Sequence, residues 1–197
     1  MSVVEVDSHW FERGKTLAAA QSRYLWLLLV LMLFYAALHQ QTQASPNKDV
    51  TKVPVVDLEI SDTLILSSAV GMLSLIVMAI VGSMRALRRS RHQGLGDRTG
   101  EEFDLHPNLI DLAFYALPGS HPVFSHLAFA VYAIFLSLAL CEGLWLRQHM
   151  WDPRLPTTYR VIITILGCLL WVRATWLVIE VWRLCFQRYT TLFRRSN

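Results

Sequence analysis

The stretch VIITILGCLLWVRATWLVIEVWR, residues 161–183, decides the fold. It is as long as the ~20-residue helix that a ~30 Å hydrocarbon core requires at 1.5 Å rise per residue. Lipid offers no partner for a free backbone N–H or C=O, so such a segment must be helical. Two charges sit inside it, Arg173 and, seven residues on, Glu180. An arginine near the middle of a span costs roughly 2.5–3.5 kcal/mol on insertion scales. It is tolerable only against other helices or water, so the fourth span is expected to be an interior helix, of the bundle or of an oligomer.

Three more apolar blocks lie upstream: Tyr24–Leu38, Leu64–Val81 and Val123–Leu146. Only 17% of the 197 residues are charged, against about 25% in an ordinary soluble domain. We therefore expect an all-α integral membrane protein, one domain over 1–197, with spans near 22–40, 62–84, 122–146 and 160–183. The first block is not expected to be a secretory leader. A polar segment with Glu5, Asp7 and Glu12 precedes it, and the nearest small-residue site is Ala44-Ser45.

Lysine and arginine set orientation. Arg13, Lys15, Arg23, Arg85, Arg88, Arg89, Arg91, Arg98, Arg183, Arg188, Arg194 and Arg195 fall on one side. The other side holds Lys48, Lys52, Arg147, Arg154 and Arg160, offset by Asp49, Asp57, Glu59, Asp62 and Asp152. Both termini and the basic loop 85–121 are thus expected in the cytoplasm, with 41–61 outside. Trp26, Trp145, Trp151 and Tyr159 stand near span ends as interfacial anchors.

Asp7 or Ser8 can cap a first helix over about 9–40. In KVPVVDLEI, 52–60, apolar residues alternate as in a strand, and Pro54 confines it to an edge or an extended lead-in. Ser61 is a natural N-cap for the second span, and Asp62 suits the positive end of that helix. Pro107–Leu117 reads as a short interfacial helix. Cys141, Cys168 and Cys185 make no CxxC and are expected as small buried hydrophobes.

The second span carries Ser67, Gly71 and Ser74 on one helical face. Such a face either packs closely within one subunit or lines a pore in an oligomer. The basic cluster Arg85, Arg88, Arg89 and Arg91 either fixes topology against anionic lipid or docks a cytosolic protein or anionic ligand. No aromatic interleaves it, so no nucleic-acid motif is present. Depth matching gives a polar track, with Glu142 toward the outside, Arg173 near mid-depth, and Glu180 with His126 toward the inside. Either these groups lock the helices together or they mark an ion path.

No catalytic or phosphate-binding motif occurs, so no enzyme and no cofactor is expected. His39 and His126 lie too far apart in depth to hold a haem. No inverted repeat or broken helix suggests a transporter.

The layout resembles the small four-helix membrane components that accompany a cytosolic partner in bacterial anti-phage systems, such as the Kiwa membrane protein and the Hailong membrane effector. What matches is four spans with both termini inside, the VPVVDLEI lead-in, the basic loop and almost no soluble domain. The resemblance implies a homo-oligomer, a tetramer, in the bacterial inner membrane. It would sense membrane disturbance or conduct ions under a cytosolic partner's control. A non-conducting scaffold that anchors a partner is the competing expectation.

Overall fold

The computed structural model describes residues 3–44, 50–53, 58–94 and 122–195, with side chains for 16–17, 19–44, 61–86 and 130–183. Among these the chain is helical apart from one hairpin and the turn at 152–156. The order is α1 (Val3–Ala44), β1 (Val50–Val53), β2 (Leu58–Ser61), α2 (Asp62–Gly94), α3 (Pro122–Leu146), a 3-10 turn (Arg147–Trp151) and α4 (Thr157–Arg195). Four helices are long and apolar enough to cross a membrane, over Ala19–Ala44, Asp62–Ala86, Ala130–Trp151 and Thr157–Arg183.

Two helices run past the ends expected for them. The first starts at Val3 rather than near residue 9, and α2 continues to Gly94. The arginines expected in a loop from residue 85 therefore ride on a helical extension through Arg91. Arginine is a good helix former and nothing stops the helix before Gly94. The expected interfacial helix 107–117 lies outside the described residues.

The alternating segment enters two strands, with Lys52 and Val53 in β1 and Leu58–Ser61 forming β2. The two pair antiparallel, with Val50 opposite Ser61 and Lys52 opposite Glu59. Ser61 closes the ladder and Asp62 opens α2 directly after it. Between α3 and α4 the chain turns tightly. The Arg154 N–H donates to Asp152 Oδ1 at 2.9 Å, and the Leu155 N–H to the Asp152 carbonyl at 3.1 Å. This Asx-type closure suits a connection with little room.

The chain divides into two compact units, and each helix gives a stretch to both. One comprises Met1–Trp26, Ala79–Leu136 and Leu177–Asn197; the other comprises Leu27–Met78 and Ser137–Trp176 and includes the hairpin. In the first, Leu25, Ile80, Val81, Leu136 and Val181 are buried. The Gln21 amide donates to the Tyr132 hydroxyl at 2.6 Å.

In the hairpin unit, α2 and α3 are central. A Cβ built on Gly143 of α3 meets the Val70 backbone of α2 at 3.5 Å. One built on Gly167 of α4 meets the Val70 side chain at 3.6 Å. Two glycines thus let three helices approach at one level, the use that small residues have where lipid supplies no hydrophobic drive. On one side α1 joins through Tyr35, whose hydroxyl shares a 3.2 Å hydrogen bond with Ser68 of α2. On the other, the Trp171 indole N–H of α4 donates to the Leu140 carbonyl of α3 at 3.2 Å.

Candidate functional site

The small-residue face of α2 turns inward. Ser67 and Ser74 are 0% exposed. A Cβ on Gly71 would sit 3.8 Å from Leu170 of α4. The Ser67 hydroxyl donates to its own helix's Leu64 carbonyl at 2.7 Å, and Ser68 does the same to Ile65. Serine in lipid commonly satisfies itself this way. Ser74 Oγ has no hydrogen-bond partner. This face is closed by packing within one chain.

The fourth span behaves in the opposite way. It is 22% buried against 56% for the second span. It is the least enclosed of the four, not an interior helix of its own bundle. Arg173 is exposed, among Leu166, Leu169, Val172 and Trp176, all more than half exposed. Glu142 on α3 is half-buried, and its Oε1 is enclosed without a partner. Glu180 pairs with Arg85 of α2, where the sequence suggested His126 as its neighbour. The side chains of His126, Arg88, Arg89 and Arg91 lie outside the described residues. Cys141 and Cys168 are exposed free thiols, not buried ones; the Cys185 side chain lies outside the described residues.

Sequence reasoning missed the strongest polar cluster. His39 is 2% exposed, and its Nδ1 lies 2.9 Å from Nε2 of His149 in the 3-10 turn. The Gln43 amide nitrogen lies 3.1 Å from His39 Nε2. Each ring nitrogen of His39 thus has a partner, and one proton is shared between His39 Nδ1 and His149 Nε2. Trp145 packs edge-on against His39 at 4.3 Å between ring centroids. Two imidazoles joined in this way hold the ends of α1 and α3 together and can pass a proton between rings. The signal was present, because both histidines stand near the same ends of their spans.

Asp62, first residue of α2, is 2% exposed, with no hydrogen-bond partner for either carboxylate oxygen among the described residues. The positive end of α2 offsets its charge. No group of three or more histidine, cysteine or acidic side chains is placed to hold a metal among the described residues. What the described residues offer is therefore a closely packed interior, an imidazole pair, and an exposed arginine on an apolar surface. Comparison of the chain with family models, with curated proteins and with solved structures finds no match.

Proposed function

We propose that this chain works as a non-enzymatic homo-oligomer in the bacterial inner membrane, a pore-forming or membrane-sensing effector controlled from its cytoplasmic face. The defence role that its layout suggests belongs to this proposal, as does the orientation set by the lysine and arginine asymmetry. One observation carries it: Arg173 stands exposed at the middle of the least buried span, among apolar side chains. A guanidinium cannot rest in hydrocarbon without a partner or water, so the surface around it belongs against protein or an aqueous path. The small-residue face of α2 is filled within the chain. A conduction path therefore runs between copies, not through one.

The test is ion flux through the purified protein in liposomes, beside its Arg173→Ala variant, with oligomeric state followed by native mass spectrometry. Flux that the substitution alters supports the effector. A stable oligomer that stays tight under both applied potential and membrane tension overturns conduction and leaves the scaffold. The helical extension of α2 favours that second reading, since it presents Arg88, Arg89 and Arg91 on a continuous helix. Neutralising those three should then abolish co-purification of a cytosolic partner at low salt, and unchanged co-purification would remove this alternative.

A further inference from the structure

Val70 touches both Gly143 and Gly167, so these two glycines lie at one depth on the antiparallel helices α3 and α4. Counting from them, Glu142 is level with residue 168, and Arg173 lies about 7 Å further along the membrane normal at 1.5 Å per residue. Helical side chains lean toward their own N-terminus. Because α3 and α4 run in opposite directions, the Glu142 carboxylate leans toward the depth of Arg173, and the guanidinium leans toward that of Glu142. The two long side chains close the offset between them.

They cannot close it within one chain. Glu142 is three residues from Trp145, whose ring packs against His39 of α1, so it lies on the α1 side of α3. Arg173 is three residues from Leu170, which meets Gly71 of α2. It is nearly opposite Trp171, which meets α3. The acid thus stands on the α1 side of α3 and the base on the side of α4 turned away from α3, so the two leave the unit on different flanks. Each has apolar company there. Leu138 (54% exposed) is one turn before Glu142, and Leu169 (65% exposed) is one turn before Arg173.

We infer that Arg173 of one copy pairs with Glu142 of the next, in a head-to-tail contact that closes a ring around an axis along the membrane normal. Such a ring keeps every copy at the same depth, so the match measured inside one chain holds between chains. Patches on different flanks give a heterologous contact, which forms a ring when its rotation closes. The inference rests on the oligomer proposed above and names its interface. It also gives the enclosed Glu142 carboxylate and the exposed Arg173 a common reason to exist.

The experiment uses the full chain in lipid nanodiscs and mild detergent, with oligomer dissociation read by native mass spectrometry. Arg173→Gln and Glu142→Gln should each weaken assembly at least tenfold. The charge exchange Arg173→Glu with Glu142→Arg should restore it to within a few-fold. A second readout does not depend on those charges. In a background with Cys141, Cys168 and Cys185 changed to serine, a chain carrying Leu138→Cys is mixed with one carrying Leu169→Cys. A short bifunctional thiol reagent should link the mixture, while neither variant links to itself. Self-linking of either variant would mean a two-fold contact and would overturn the head-to-tail pairing. Single variants that assemble like the parent would overturn this interface and leave the oligomer standing. A parent chain that is monomeric in the bilayer would overturn both.

Discussion

The second and fourth helices carry the residues that looked most functional, and they dispose of them in opposite ways. The polar and small residues of α2 face inward: Ser67 and Ser74 are sealed, and Gly71 meets α4. The arginine of α4 faces outward, on a surface of Ile162, Ile165, Leu166, Leu169 and Val172. In water the opposite would be expected, with charge outside and large aliphatics within. In lipid, aliphatics gain nothing by hiding, so the interior goes to whatever packs closest, and small residues pack closest. A charge left on the lipid-facing surface is then unfinished business, completed only by a second molecule or water.

The sharpest way to break this contrast is to truncate one leucine on each helix. Leu73 of α2 is 0% exposed, and Leu169 of α4 is 65% exposed. Leu73→Ala should lower the unfolding free energy of the monomer by about 2–5 kcal/mol, the range for emptying a packed site. Leu169→Ala should leave it within about 0.5 kcal/mol, as for a surface change. Thermal or denaturant unfolding in detergent micelles measures both. Similar losses from the two would mean that α4 is as enclosed as α2, and the argument from Arg173 would fall.

These particulars mark what the sequence could tell. The number of spans was legible, since long apolar runs have one physical outcome in lipid. Which face of a span turns inward was not. A helix that is apolar all round has no amphipathic stripe to read, so Arg173 could be given a depth but not a direction. The same blindness put Cys141 and Cys168 inside, where the structure exposes them. Helix ends ran past expectation at α1 and α2, where good helix formers continue beyond the apolar core. The histidine pair was readable in principle. Depth matching was applied to His39 and His126, while His149, one turn past the apolar end of α3, went unmatched.

That pair supplies an effect of middle size. Within the hairpin unit it is the polar counterpart of the glycine contacts, joining α1 to the end of α3. His149→Ala leaves His39 Nδ1 buried without its hydrogen-bond partner, which costs about 1–3 kcal/mol. The loss should appear in the unfolding of the monomer and leave head-to-tail linking intact. If His149→Ala instead abolished assembly while the monomer kept its stability, the histidines would belong to the interface between copies.

The smallest effect is expected from the other charge on α4. Glu180 shares a helix face with Arg173, two turns away, yet it has a partner in Arg85. Both members of that pair are open to their surroundings, at 45% and 37% exposure for Arg85 and Glu180. An ion pair that open is worth about 0–1 kcal/mol, because solvent screens it and ordering two long side chains offsets the attraction. Glu180→Gln should therefore change stability by less than about 1 kcal/mol, and the difference should shrink as salt shortens the ~8 Å screening length. The weakening of assembly by Arg173→Gln should respond less to salt, since a pair enclosed between copies is screened less than an open one. A loss of about 3–5 kcal/mol from Glu180→Gln, independent of salt, is what breaking an enclosed pair produces. That result would move the Arg85 pair into the protein interior. The contrast along α4, between a charge satisfied at home and one that waits for a neighbour, would then fail.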